Sequence, residues 1–155
     1  MTSTQRSNVV IRRVGLKMTD ALLALEAACF DIDRTNRRNM RYLLTSPSVM
    51  CTGVFREGEL VGAMVMLFRS NAAVARIYSL AVVPEFRGQG IGRKLLATAE
   101  RKARARGCTR MKLEVRMDNI PAIRLYESLG YVDTEVRPEY YEDRAAAFIF
   151  RKALD

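Results

Sequence analysis

The sequence predicts a mixed α/β fold: a mixed, mostly antiparallel sheet of seven strands flanked by four helices, in the order β-α-α-β-β-β-α-β-α-β-β. Three observations lead there. Apolar stretches with strand spacing are interleaved with amphipathic stretches of helical spacing. A strand–helix–strand passage, Ala73 to Arg116, is long enough to be a crossover and so makes its two strands parallel, while runs of antiparallel strands surround it. No repeat, low-complexity tract or long linker divides the 155 residues, so 1–155 reads as a single domain with a core of ordinary size.

Residues 1–8 are polar and read as a loose lead-in without the apolar centre of a secretory signal. Val9–Val14 alternates weakly and gives the first strand. Thr19 and Asp20 are cap candidates for a helix over Ala21–Phe30, with Leu22, Leu25 and Cys29 on one face. Arg34–Leu44 is a second, arginine-rich helix closed by Ser46-Pro47. Val49–Arg56 and Leu60–Arg69 form a hairpin around Glu57-Gly58-Glu59. Ala73–Val83 is a long strand, and a helix runs from Ile91 to Arg106 with Ile91, Leu95, Leu96, Ala99 and Ala103 inward and Gly107 as its cap. Arg110–Arg116 alternates Met111, Leu113 and Val115 against Lys112, Glu114 and Arg116. Asn119-Ile120-Pro121 opens the last helix, Gly130 ends it, and Tyr131–Val136 and Ala146–Arg151 are the closing strands.

Composition narrows the chemistry. Hydrophobic residues make up 49% and charged residues 28%, which is a globular balance, and no run reaches the length of a membrane span. Cys29, Cys51 and Cys108 are far apart among apolar neighbours, so they read as buried free thiols in a reducing cytoplasm. The chain has no histidine, which removes Ser-His-Asp and Cys-His catalysis and argues against a zinc site; no metal is expected. Acid–base work then falls to Glu, Asp, Tyr, Lys, Cys or water. The net charge of +9 is scattered arginine rather than a basic tail, and no nucleic-acid module is visible, so an anionic cofactor or acidic partner fits better than DNA or RNA.

Residues 82–92 read V-V-P-E-F-R-G-Q-G-I-G, a strand end, a glycine-rich bend and a helix start. Unpaired N–H groups and the helix dipole make such a junction a phosphate site, and glycine lets the main chain approach the ligand. The spacing G-x-G-x-G fails the dinucleotide fingerprint G-x-G-x-x-G, and no stretch matches the P-loop. An ordinary flexible turn is the plain alternative. Residues 113–131 read L-E-V-R-M-D-N-I-P-A-I-R-L-Y-E-S-L-G-Y.

The first stretch resembles the R/Q-x-x-G-x-G/A signature of the GNAT N-acetyltransferases. The second resembles the L-E-V-R-x-x-N-x-x-A-I-x-L-Y-E-x-L-G-F/Y block of their RimI-like (ribosomal-protein-alanine N-acetyltransferase) branch. The likeness is sharp over 77–131 and looser outside it. It implies the GNAT fold and acetyl transfer from acetyl-coenzyme A to a primary amine. It also implies roles: the main chain of Leu80, Ala81 and Val82 along the pantetheine arm; Arg87, Gly88, Gln89, Gly90, Ile91 and Gly92 around the pyrophosphate; Asn119 near the thiol end; Tyr126 as proton donor to the leaving thiolate; and Glu114 as general base. Plain alternatives stand beside these. Tyr126 can be a packed aromatic, Glu114 a solvated carboxylate or partner of Arg116 or Lys112, and Asn119 only a helix cap.

In that branch the acceptor is the N-terminal amine of a protein. Tyr140 and Tyr141, in R-P-E-Y-Y-E, resemble the branch's tyrosine-containing segment after the sixth strand, and Phe30 opens the expected acceptor lip, F-D-I-D-R-T-N-R-R-N-M-R. The many arginines of that lip depart from the branch and admit an acidic peptide or an anionic small amine. Other readings are a polyamine or antibiotic acetyltransferase, and a non-catalytic acyl-coenzyme A-binding domain. Cys108 as acyl carrier lacks an evident base. The protein is expected to be a monomer or homodimer with no membrane partner.

Overall fold

A computed structural model describes residues 8–69 and 73–155. The expected lead-in therefore lies outside the described residues except for Asn8. The strands are β1 (Val10–Arg13), β2 (Val49–Arg56), β3 (Glu59–Phe68), β4 (Val74–Val82), β5 (Arg110–Arg116), β6 (Val132–Arg137) and β7 (Ala147–Ala153). The α-helices are α1 (Thr19–Cys29), α2 (Arg37–Thr45), α3 (Ile91–Ala105) and α4 (Ile120–Ser128). The strands form one sheet in the order β1-β2-β3-β4-β5-β7-β6. All neighbours are antiparallel except β4 and β5, the parallel pair expected of the crossover.

Helices cover both faces of the sheet's first half, so β2 and β3 read as continuous apolar runs rather than alternating ones. On one face Ile91, Leu95, Leu96, Ala99 and Ala103 of α3 pack with Met50, Val54, Met111 and Leu113. On the other, Leu22 and Leu25 of α1 and Met40 of α2 pack with Val49, Cys51 and Phe55. Successive residues of β2 thus serve opposite cores, as strand geometry requires.

Local chemistry sets the boundaries, with two corrections. Thr19 does not cap α1: it is the helix's first residue and its hydroxyl donates back to the Leu16 carbonyl (2.6 Å), after a 3-10 turn over Leu16–Met18. The second helix starts at Arg37, not Arg34, because Asn36 takes the cap and accepts from the Asn39 N–H (2.8 Å). The β2–β3 turn is tighter than expected, with Glu57 and Gly58 both at positive φ (52° and 82°). Gly107 ends α3 as predicted: at φ 85° it donates to the Arg104 carbonyl while Cys108 donates to that of Ala103. Among the described residues no helix is long and apolar enough to cross a membrane.

Candidate active site

The parallel pairing of β4 and β5 is short. It runs from Val74↔Arg110 to Ile77↔Leu113 and stops. Next to the stop, β4 carries a bulge: Met66 pairs with Ile77 and Val65 with Ser79, leaving Tyr78 as the extra residue. A bulge bends its strand, and beyond it β4 follows β3 while β5 follows β7. The two strands part, and the gap opens a cleft of about 1320 Å³.

One half of the cleft lies between β4 and the start of α3. Val83 donates its N–H to Val61 on β3 (3.0 Å). By strand alternation Ala81 also turns its main-chain groups to β3, whereas those of Leu80 and Val82 face the cleft. Ala81 is thus the member of the predicted backbone trio that cannot offer its main chain to a ligand. Arg87 folds back so that its Nε donates to the Val82 carbonyl (2.9 Å). Gly88 and Gly90 have φ of 79° and 82°, with open space where a Cβ would stand. These left-handed turns aim the chain into α3, whose first N–H groups have no acceptor within the helix. Gly92 serves packing instead: its Cβ would lie 3.1 Å from Leu125 of α4. Gln89 does not line the cleft; its Oε1 is buried without a hydrogen-bond partner.

The other half is built on β5 and α4. Asn119 caps α4, its Oδ1 accepting from the Ala122 N–H (3.3 Å), and lines the cleft as well. Tyr126 also lines it, 7% exposed, with its ring 6.0 Å from Tyr131 and 6.2 Å from Phe150. Burial pushes its phenol up to about 12, so it holds its proton through the neutral range. Neutral Tyr126 favours the folded state fully below pH 10, and that contribution is lost as pH rises through about 12. Denaturant titrations at pH 9 and pH 11.5 are expected to show a loss of about 2 kcal/mol from this group, absent in Tyr126→Phe.

Glu114 stands where β4 and β5 separate, and its partner is not Arg116 or Lys112. Arg76 of β4 grips it: Nε donates to Oε2 (3.1 Å), Nη2 lies 2.9 Å from Oε1, and the Tyr140 hydroxyl donates to Oε1 (3.4 Å). Burial would lower the Arg76 guanidinium, but the charge and hydrogen bond of Glu114 outweigh it and hold it above its ordinary value. Arg116 instead ties the rim together. It bonds Asp143 (2.7 Å) and Asp118 (3.2 Å), lies 3.9 Å from Asp33, and stacks over Tyr141 at 5.1 Å.

Phe30 and the Asp31–Thr35 segment form the opposite lip. Buried Glu26 staples it by accepting from the Thr35 N–H (2.6 Å) and hydroxyl (2.9 Å), and Arg34 donates to the Phe30 carbonyl. Tyr140 and Tyr141 face that lip in T-shaped contact (5.0 Å). Of the lip's arginines only Arg34 lines the cleft; Arg37 pairs with Asp20 on the surface. Asp31, Asp33 and Glu142 reach this mouth instead, so its charge suits a cation rather than an anionic acceptor. Cys29 departs from expectation too. It is half-buried and lines the cleft, whereas Cys51 and Cys108 are buried and do not.

The predicted Leu80, Ala81, Val82, Arg87, Gly88, Gly90, Ile91, Gly92, Glu114, Asn119, Tyr126, Phe30, Tyr140 and Tyr141 all line this one cleft. Arg76 and Glu26 are residues that sequence reasoning missed, and Asp33 stood in the expected lip without a role of its own. An arginine inside an apolar strand was the available signal for the first.

The chain is similar to known proteins in sequence and in fold. Residues 19–131 match the family model described as "Acetyltransferase (GNAT) family". An uncharacterized N-acetyltransferase of Methanocaldococcus jannaschii is 32% identical over 145 residues, 93% of this chain and 91% of that protein. A Bacillus subtilis protein provisionally assigned as a [ribosomal protein bS18]-alanine N-acetyltransferase is 28% identical over 138 residues, 89% and 90% of the two chains. The crystal structure of the ribosomal-protein-S18-alanine N-acetyltransferase from Escherichia coli superposes with a TM-score of 0.86 at 24% identity, covering 95% of this chain and 94% of that one. A mixed sheet that splits beside a glycine-led helix, a family match over most of the chain and relatives of this kind together make the chain a RimI-like N-acetyltransferase, a member of the acetyltransferase (GNAT) family.

Proposed function

We propose that the protein transfers the acetyl group of acetyl-coenzyme A to the N-terminal α-amine of a protein or peptide, directly, within a ternary complex. The observation that carries this reading is the continuity of the cleft: the Gly88–Gly92 bend and the Glu114/Tyr126 pair line one cavity. The fit to the acyl donor is favourable at both ends. Open space beside Gly88 and Gly90 lets the first N–H groups of α3 meet a diphosphate. The cleft edge of β4, through the main chain of Leu80 and the N–H of Val82, offers strand-type hydrogen bonds to an extended amide-bearing arm, the Val82 carbonyl being held by Arg87. The donor supplies an activated thioester.

The chain's residues supply the rest. Glu114, through a water, takes the proton of the acceptor ammonium. Holding amine and thioester in one cleft makes the attack effectively intramolecular. The C–N bond forms as the C–S bond breaks, and the second proton, shed by the acylated nitrogen, passes through water to the departing thiolate. Tyr126 stays protonated and donates a hydrogen bond to the departing sulfur. Because its pKa lies above that of a thiol, near 8.5, donation assists the leaving group without prior loss of the proton. Asp31, Asp33 and Glu142 draw a cationic terminus to the mouth. The Bacillus subtilis relative, named for the alanine N-terminus of a ribosomal protein, supports the acceptor class.

The test is incubation with acetyl-coenzyme A and a mixed library of peptides and small amines, read by mass spectrometry. Peptides acetylated at the α-nitrogen are the expected product. Turnover restricted to polyamines or aminoglycosides, or none at all, contradicts the reading. A second expectation concerns the loop. Gly90→Ala places a side chain at φ 82° without a clash, so stability falls by about 1–2 kcal/mol. The larger effect is on the donor: its KM is expected to rise about tenfold, as backbone approach at the helix start is lost. Thermal melts and donor titrations separate the two.

A further inference from the structure

Arg76 is a cation within an apolar strand, and core packing of β4 gives no reason for it. Its register with Lys112 puts it on the face of β5 that carries Lys112 and Glu114. Pairing of β4 with β5 ends one residue later, so Glu114 stands beyond the last neighbour β4 provides. Arg76 spans the opening with a fork of two contacts, Nε to Oε2 (3.1 Å) and Nη2 to Oε1 (2.9 Å). Such a fork fixes the plane of a carboxylate as well as its position. Nη2 also donates to the Tyr140 hydroxyl (3.1 Å), which in turn donates to Oε1 (3.4 Å), and the Tyr78 ring lies 5.7 Å from the guanidinium.

A carboxylate offers about four acceptor positions. Oε1 accepts from Tyr140 and lies 2.9 Å from Nη2 of Arg76 in the ion pair, whereas the hydrogen bond to Oε2 comes from Nε of Arg76. Oε2 is thus the oxygen with fewer neighbours.

We infer that Arg76 is a positioning residue for acyl transfer, holding the Glu114 carboxylate so that Oε2 is the oxygen presented to the acceptor's proton. This rests on the proposed function of Glu114 as the base. Arg76 itself stays bound to the carboxylate and acts only through it. Its effect therefore disappears when Glu114 is replaced.

The test is a double-mutant cycle with an α-amine peptide as acceptor, measuring kcat and KM for Arg76→Gln, Glu114→Gln and the double variant. Arg76→Gln is expected to lower kcat about 10–100-fold with the acetyl-coenzyme A KM within about twofold, the scale of a misplaced catalytic group. The double variant is expected to be no more than about threefold slower than Glu114→Gln alone. Arg76→Lys, which keeps the charge but not the fork, is expected to recover part of the loss, and it replaces Arg76→Gln in the cycle if that variant does not fold. Multiplying losses in the double variant, or an unchanged kcat on replacing Arg76, overturns the inference while leaving the acetyltransferase reading intact. Absence of α-amine acetylation by the unaltered protein overturns both.

Discussion

Glu114→Gln is expected to lower kcat about 10²–10³-fold with little change in the KM for acetyl-coenzyme A, the range typical of removing a general base. Glutamine matches glutamate in shape and can still accept from Tyr140 through its carbonyl. It cannot take a proton, and it leaves the Arg76 guanidinium without its counter-charge. Glu114 is only 9% exposed at its side chain and Arg76 35%, so the pair is partly desolvated and its loss costs stability as well. A thermal melt of the variant separates that cost from the catalytic one. Steady-state rates at saturating donor provide the kinetic measure. A kcat within about threefold of the unaltered protein would mean that water or the acceptor's own ionisation suffices.

The second large effect is discrimination between amines. A peptide with a free α-amine is expected to react about 250-fold faster at pH 7 than the same peptide blocked at its terminus and bearing one lysine. That ratio is the difference between an α-amine pKa near 8 and a lysine pKa near 10.4. A single carboxylate acting through water suits an amine that loses its proton readily. The rate on the α-amine peptide is expected to climb between pH 6 and pH 8 and then level. Comparable rates on the lysine peptide would contradict the preference for α-amines.

These expectations draw unequally on sequence and on tertiary structure. The α3 helix was readable in full: Ile91, Leu95, Leu96, Ala99 and Ala103 recur at helical spacing and are all buried, and Gly107 is the left-handed cap. Alternation on β5 likewise assigned Met111, Leu113 and Val115 to the core and left Glu114 facing away from it. Such features depend on neighbours in the chain. Arg76 illustrates the opposite case. Its partner is set by the parallel register and by where β4 and β5 part, and neither is a property of a local stretch. The α1 start was misread because Thr19 looks like a cap, while the 3-10 turn before it makes its hydroxyl a donor to Leu16. The lip's arginines looked like an anion site because composition counts charge without direction; Arg37 points to Asp20 outside the cleft.

The central claim is that main-chain N–H groups at the start of α3 hold the diphosphate of coenzyme A. Calorimetric titration of the protein with acetyl-coenzyme A tests it most directly, run beside Gly90→Ala and beside a pantetheine thioester lacking the diphosphate. Saturable binding that weakens with either change is the predicted result. Absence of binding at millimolar acetyl-coenzyme A, or equal affinity for the truncated thioester, would contradict the account.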